Sequence, residues 1–471
     1  MINWNKTKIV ATLGPASSRR GELRTMLQAG MDVARINGAH GTHKEHRKTI
    51  ELVRSLSKEL GVPTAILIDL PGPKFRIGTL TKEPVFLKKG EVVTLICGKK
   101  KQEGENIPVP HNIHRSVKPG HMIFINDGAV ALSVIKISGV RIFCRVKSAG
   151  EIRSHKGLNL PNTKLDAPSL TAEDKKILDF AIRNKVDYIG LSFVRSAQNI
   201  RVLRSILKRR APHMGIIAKI EKPEALNDLD NIIEASDAIM VARGDLGIEL
   251  PFYKLPVIQK MILNKCMEAG KPSITATQML VSMVSAAKPT RAEATDVAGA
   301  VWEGSDAVML SEETSVGKNP AAAVRAMAQI AFETEKEMRT FGSTKDVKDF
   351  NVFQAQVLSR AAGFIAQNIC AKAIVVPTRS GRTPLFISRD RLPVPVLAPT
   401  EDARVARRMN LYWGVRPLTL PTFSTVDELL KSAEKAALKS RLIKKGDTIV
   451  IASGAHGRKN DITRLVEVRR V

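Results

Sequence analysis

The sequence predicts an α/β fold built on a (β/α)8, or TIM, barrel, with a β-rich lid domain inserted into it and a separate C-terminal α/β domain. Three observations predict it. Apolar, β-branched runs alternate with helix-period segments along most of the chain, the pattern of a parallel sheet with crossover helices. Eight such runs precede the last part of the chain, and eight is the number that closes a (β/α)8 barrel. Polar residues gather at the C-terminal ends of these runs, where such barrels keep their active sites.

The eight runs are 8–13, 33–37, 65–70, 188–193, 216–221, 238–243, 273–277 and 307–310. Arg35 and Asn37 end the second, Asp69 the third, Ser192 the fourth, and Lys219 with Glu221 the fifth. Arg243, Gly244 and Asp245 close the sixth, and Thr277 the seventh. The gap between the third and fourth runs is too long for one helix. Within it lie short alternating segments at 92–96, 122–125, 131–137 and 141–146, punctuated by Gly90, Pro119-Gly120 and Asp127-Gly128, the marks of an inserted β domain. Beyond the polar stretch 340–348, βα alternation returns with strands expected at 373–377, 394–398, 415–420 and 448–452. The expected domains are 1–72 and 158–340 for the two parts of the barrel, 73–157 for the lid, and 341–471 for the last domain.

Length and composition agree with this organisation. A chain of 471 residues is enough for about three domains at roughly 100 to 200 residues each. Hydrophobic residues make up 44% and charged residues 25%, ordinary globular usage that argues against long disordered segments. No apolar run approaches the roughly 18 residues of a membrane span, and the N-terminus leads into a strand rather than a signal-peptide core, so a cytoplasmic protein without membrane partners is expected. Cys97, Cys144, Cys266 and Cys370 are scattered without a CxxC pair, which fits neither a zinc knuckle nor a disulfide framework. The net charge of +28, from 74 Lys and Arg against 46 Asp and Glu, fits a surface shaped by solubility or ionic conditions alone, and it also suits an anionic partner. Phosphorylated metabolites and nucleic acid both qualify. Aromatic residues at 4% are poor material for stacking platforms, which argues against nucleic acid.

Neither GxxxxGK[ST] nor GxGxxG occurs, so any nucleotide is bound by other means. Strand periodicity puts Lys219 and Glu221 on one face, the barrel interior. Glu221 and Asp245, from adjacent strands, are what a hard divalent cation such as Mg2+ requires, with water and substrate oxygens completing its shell. The Gly244-Asp245 turn opens a helix and exposes backbone N–H groups suited to a carboxylate or phosphate. Taken alone, Lys219 could equally be a core salt bridge, and Arg35 and Asn37 strand-end hydrogen-bonding groups. Their joint position at the barrel mouth favours function. His40, His43 and His46 lack a carboxylate or cysteine to complete a metal site; the run reads as a solvated helix start, with His40 placed to meet a phosphate. Ser380-Gly381-Arg382-Thr383 resembles a phosphate-cradling turn, and a plain βα connection is the equal alternative.

Together these segments resemble the pyruvate kinase family over essentially the whole chain. The resemblance is carried by Thr7-Lys8-Ile9-Val10-Ala11-Thr12-Leu13-Gly14-Pro15-Ala16-Ser17, by Ala34-Arg35-Ile36-Asn37 with His40-Gly41-Thr42-His43, and by Ile217-Ala218-Lys219-Ile220-Glu221. Its most specific parts are Met240-Val241-Ala242-Arg243-Gly244-Asp245-Leu246-Gly247-Ile248-Glu249 and Ala276-Thr277-Gln278-Met279-Leu280, with Pro289-Thr290-Arg291-Ala292-Glu293 in agreement. The resemblance implies phosphoryl transfer from phosphoenolpyruvate to ADP, giving ATP and an enolate that is protonated to pyruvate. It further implies Mg2+ (Mn2+ as an alternative) on Glu221 and Asp245, and Lys219 and Arg35 on the phosphoryl group. Arg35, Asn37, Lys219, Gly244, Asp245 and Thr277 would bind substrate, and Arg35, His40 and Lys156 the nucleotide. Thr277 would join the proton path through a water relay, and the lid would close to exclude water. A sugar-phosphate effector at Thr378, Ser380, Arg382 and Thr383, and a homotetramer, come from the resemblance alone. A Mg2+-dependent carbon–carbon lyase on a similar barrel is the enzymatic rival; it leaves the lid unexplained.

Two departures stand out. K+-dependent members of the family usually carry Ser two residues after the Asn and Thr-Lys-Gly-Pro-Glu after the strand-three Asp. Here these positions read Ala39 and Asp69-Leu70-Pro71-Gly72-Pro73-Lys74. The expectation is that the Lys74 ammonium, near Asn37 and Asp69, replaces K+, so that K+ is not required. Glu312 stands where a glycine is common, and the sequence offers no physical reason for it.

Overall fold

The computed structural model describes residues 4–161, 163, 168–338, 350–421, 425–454 and 463–471; the polar boundary read at 340–348 lies outside them. Eight parallel strands close into a barrel. They are Lys8–Leu13, Val33–Asn37, Ala65–Leu70, Tyr188–Leu191, Gly215–Ile220, Ala238–Ala242, Ser273–Ala276 and Ala307–Leu310. Each pairs with its sequence neighbours in the barrel, and the first pairs with the eighth. Four strands end one or two residues before the expected position. The chain leaves the sheet there for local reasons: Phe193 and Thr277 take positive φ, of 52° and 69°, and Arg243 already begins the helix Arg243–Glu249. Glu221 and Thr277 therefore sit in the loops just above the strands, and Arg243 in the first turn of a helix.

The period of two along each strand sorts the side chains into two cores. Ile9, Ala11, Ile36, Ile66, Ile68, Ile189, Ile216 and Val241 face outward and pack under the helices. Val10, Val33, Leu67, Tyr188, Ile217, Met240, Ile274 and Met309 face inward. A fully buried aliphatic side chain of this kind contributes about 1.5–3 kcal/mol. One layer higher, the inward positions become polar: Thr12, Arg35, Asp69 and Lys219. The sheet register that makes the lower core makes the site directly above it.

Three of the helices around the barrel start on threonine caps. Thr42 with Glu45 caps His43–Leu60, Thr171 with Asp174 caps Ala172–Arg183, and Thr290 with Glu293 caps Arg291–Trp302. In each, the threonine hydroxyl accepts from a first-turn N–H that has no partner inside the helix. The Asp174 carboxylate also accepts from the N–H of Gly72 at 3.0 Å. Gly72 has φ of 67°, and a Cβ there would stand 2.8 Å from the Phe193 ring, so the lid's first connection is fixed where only glycine fits.

The lid is a six-stranded sheet in the order Leu158–Asn159, Met122–Ile125, Val130–Ser138, Arg141–Ser148, Val92–Cys97 and Ile107–Val109, beside a two-stranded piece, Gly150–Ile152 with Val85–Leu87. Its own apolar core includes Leu95, Ile123, Leu132, Ile142 and Val146. Four of these strands have three residues or fewer, too short to show alternation in sequence.

The C-terminal domain is a five-stranded sheet in the order Val415–Thr419, Val396–Thr400, Ala373–Val375, Thr448–Gly454 and Thr463–Arg470. The last strand runs antiparallel and was not expected; its charge-rich Thr-Arg-Leu-Val-Glu-Val-Arg-Arg hides the pattern. This domain seals the bottom of the barrel, and the inward core continues from Tyr188 and Met240 into Val376, Leu411 and Val415. Polar contacts fix the joint. Arg391 pairs with Asp306 at 2.9 Å and donates to the Gly304 carbonyl, and Arg407 pairs with Asp187 at 2.8 Å. The Tyr188 hydroxyl donates to the Arg408 carbonyl, and the fully buried Lys8 ammonium to that of Val415. With the bottom closed, the upper mouth is the accessible end of the barrel.

Candidate active site

At the mouth, one buried carboxylate holds two cations. The Arg35 guanidinium donates twice to Asp69 Oδ2, from Nε at 2.9 Å and Nη2 at 2.8 Å, and its third nitrogen donates to the Thr12 hydroxyl. The Lys219 ammonium lies 3.3 Å from the same oxygen, 2.8 Å from Glu221 Oε1 and 2.7 Å from the Ser192 hydroxyl, to which it donates. Burial disfavours charge on Lys219, but Asp69 and Glu221 outweigh it and raise its pKa above the ordinary lysine value. Burial works against ionised Asp69 as well, and Arg35 and Lys219 together hold its pKa below the usual carboxylate range. The core salt bridge weighed for Lys219 is present; it fixes the ammonium at the mouth.

Asp69 is paired in register with Gly190 of the fourth strand. A Cβ at Gly190 would lie 2.2 Å from Asp69 Oδ1, so the carboxylate occupies the space of the missing side chain. Among the described residues that oxygen is buried without a hydrogen-bond partner.

Glu221 is buried, and its second oxygen accepts from the Phe193 N–H at 2.6 Å. Burial raises its pKa and the nearby charge of Asp245 raises it further, against the opposing effect of Lys219. Two carboxylates close enough to feel each other, one of them costly to ionise alone, fit a divalent cation that favours both charges. Among the described residues no cluster of three or more metal-binding side chains occurs, so any cation here would keep water or substrate oxygens in its shell.

Asp245 is met by Lys74 at 4.0 Å. Sequence reading placed Lys74 near Asn37 and Asp69; among the described residues its ammonium forms an ion pair with Asp245. Asn37 accepts from the N–H of Ala39.

On the opposite side, Thr277 and Gln278 both hold positive φ, 69° and 56°, a strained state for side-chain-bearing residues. Arg243 holds them there. Its guanidinium donates to the Thr277 and Gln278 carbonyls and is anchored by Asp296 at 2.7 Å on both nitrogens. The Thr277 hydroxyl donates to the Ala276 carbonyl and accepts from the Gly244 N–H at 2.7 Å. That N–H, read from sequence as a seat for a substrate carboxylate, is thus taken by Thr277 in this structure. Asp296, Gly190 and Thr12 were not singled out from sequence as parts of the site, and Arg243 was read only as a polar end of the sixth run. A buried arginine on a strand end was the one available signal.

A cleft of ≈ 960 Å³ opens beside Arg35, lined by Thr12, Asn37, His40, His46, Ser311 and Glu312 among others. His40 is on this cleft; Lys156 is not among its lining residues, and its backbone instead bonds Ile77 at the lid base. His43 stacks on Phe180 at 4.7 Å. A lid-to-barrel contact comes from Glu249, whose carboxylate accepts from Lys222 at 2.5 Å and from Asn159 of the lid at 3.5 Å. In the C-terminal domain, the Thr378 hydroxyl accepts from the N–H of Gly381 and the Ser380 hydroxyl from that of Arg382. Arg382 is exposed and Thr383 buried.

Replacing Gly190 by Ala is expected to drive Asp69 off Arg35 and Lys219 and to cost about 3 kcal/mol, in the range for disrupting a buried ion pair. Chemical denaturation of the variant beside the wild type measures this. An unchanged midpoint would mean that Asp69 has room the geometry denies it.

Residues 4–324 match the family described as "Pyruvate kinase, barrel domain", and residues 356–468 match "Pyruvate kinase, alpha/beta domain". The chain is 38% identical over 472 residues to a pyruvate kinase of Clostridium acetobutylicum, covering 99% of each. It is 43% identical to one of Agrobacterium vitis, covering 95% of each, and 40% identical to one of Geobacillus stearothermophilus, covering 98% of this chain and 80% of the relative. The barrel, the lid, the C-terminal domain and these full-length similarities place the chain in the pyruvate kinase family.

Proposed function

We propose that the protein transfers the phosphoryl group of phosphoenolpyruvate to ADP and protonates the resulting enolate to pyruvate. The observation that carries this reading is the chain Arg35–Asp69–Lys219–Glu221 at the barrel mouth, with Thr277 across from it. The enol O–P bond breaks as a bond forms from phosphorus to a terminal oxygen of ADP. Catalysis of that kind is mostly positioning and charge stabilisation. Arg35 holds the phosphoryl group from one side, with Asn37 beside it, and Lys219 stabilises the phosphoryl oxygens and the enolate oxygen. Asp69 keeps both cations in place. The Thr277 region delivers the proton to the methylene carbon through water, since a threonine hydroxyl is too weak an acid alone. His40 faces the nucleotide in the cleft beside Arg35, and Lys156, at the base of the lid, would reach it on lid closure.

Glu221 and Asp245 would hold Mg2+, or Mn2+, which would supply positive charge to offset that of the substrates. The reading extends to independence from K+. Lys74 brings a fixed positive charge to the mouth beside Asp245, where a mobile monovalent cation would otherwise balance the phosphoryl charge. A homotetramer and a cytoplasmic location accompany this reading; among the described residues no helix is long and apolar enough to cross a membrane.

Pyruvate formation is expected with phosphoenolpyruvate, ADP and Mg2+ when tetramethylammonium is the sole monovalent cation, with little change on adding K+. Lys219→Met should lower kcat by on the order of 10³. A rate near zero until K+ is added would contradict the role given to Lys74 and leave the reaction standing.

The turn Thr378 to Thr383 is proposed to bind a phosphorylated activator, supported by its exposed Arg382 and by the glycine-led start of the helix Arg382–Ser388. Activation by a panel of sugar phosphates should weaken in Arg382→Ala. An activation curve identical to that of the wild type would remove the turn from this role.

A further inference from the structure

Glu312, unexplained by the sequence, lies on the wall of the cleft beside Arg35. Three features of this wall bear on what the cleft accepts. The first is the state of its carboxylates. Glu45, the other acidic residue of the lining, is engaged, accepting from the Thr42 N–H at 2.7 Å and the Thr42 hydroxyl at 2.9 Å. Glu312 has no hydrogen bond or ion pair to its carboxylate among the described residues and is exposed. The second is what stands beside it. Val316 also lines the cleft and donates its N–H to the Glu312 carbonyl at 3.1 Å, so the two residues are one helical turn apart on the same face. Val316 is 58% exposed, and with Pro15 and Leu52 it gives this part of the cleft an apolar surface. The third is polarity. Arg35 and Lys48 supply positive charge for phosphates, whereas Glu312 would repel them.

Apolar side chains and a free acceptor group in one cleft wall suit a base rather than a phosphate. A carboxylate offers two oxygens in one plane and accepts two parallel N–H bonds. Guanine presents N1–H and the N2 amino group side by side on one edge. Adenine presents an amino group next to the N1 lone pair, which faces a carboxylate unfavourably. Hypoxanthine has N1–H alone.

We propose that Glu312 is a specificity residue that selects a nucleoside diphosphate with a guanine base, so that GDP is a better phosphoryl acceptor than ADP at this site. The inference rests on the proposed phosphoryl transfer for its catalytic readout, but not for the recognition itself. Sites that pair with a donor edge reject analogues lacking it more strongly than apolar pockets reject a change of size.

The test compares GDP, IDP and ADP in two ways: kcat/KM for pyruvate formation, and equilibrium dialysis of each nucleotide with Mg2+. The wild type is expected to rank GDP above IDP above ADP in both, with GDP about tenfold ahead of ADP, equivalent to about 1.4 kcal/mol. Glu312→Gln, of the same size, and Glu312→Ala should both shrink that ratio toward one, through KM more than kcat. Wild-type preference for ADP, equal use of the three, or an unchanged ratio in both variants would overturn the proposal. The two readings fail separately. Pyruvate formed equally well with all three nucleotides removes the role of Glu312 and keeps the reaction. No pyruvate with any of them, but ranked binding in dialysis that the variants lose, removes the reaction and keeps the recognition.

Discussion

The carboxylate of Asp69 is the constraint on which the site depends. It sits inside a closed barrel, out of contact with water, where an unpaired charge costs several kcal/mol. Its Oδ2 is met by both Arg35 and Lys219, so the two cations are held together at the barrel mouth. Arg35 is paired with Asp69, and Lys219 divides its pairing between Asp69 and Glu221. Gly190 makes the arrangement possible by leaving room for the other oxygen. Lys219 carries the chain of charges on to Glu221, and Glu221 on to Asp245, so five ionisable groups from three strands, one loop and one helix form a single electrostatic unit.

The barrel brings these groups together through two simple rules. Side chains alternate along each strand, so the residues that pack the lower interior dictate which later residues face the mouth. The chain then leaves the sheet immediately above, where Phe193 and Thr277 turn with positive φ and Arg243 starts a helix. Rigid strands fix Arg35, Asp69 and Lys219, and strained loop starts fix Glu221 and Thr277. The C-terminal domain fills the opposite end, which leaves the mouth and its lid as the place where substrates enter.

Much of this was legible in the sequence because it follows from periodicity. The eight barrel strands show as apolar runs, and four of them have the expected limits. Lys219 and Glu221 share a face for the same reason. Other parts depend on contacts between distant segments, which periodicity does not encode. Gly190 looks like any strand glycine until Asp69 is placed across from it. Arg243 reads as part of a strand end, and its grip on Thr277 and Gln278 requires Asp296, 53 positions away in sequence. Lys74 was assigned by the position of its segment beside Asp69, whereas its ammonium extends to Asp245. The last strand, Thr463–Arg470, is an antiparallel edge whose alternating charges conceal it.

The central claim, that Asp69 organises both cations for phosphoryl transfer, is tested most directly by the isosteric variant Asp69→Asn. Steady-state pyruvate formation should show kcat lowered by on the order of 10² or more, because Arg35 and Lys219 lose the charge that holds them in position. Far-UV circular dichroism would establish that the barrel remains folded. A folded Asp69→Asn protein with wild-type kcat would contradict the account, since the cations would then be positioned without the carboxylate.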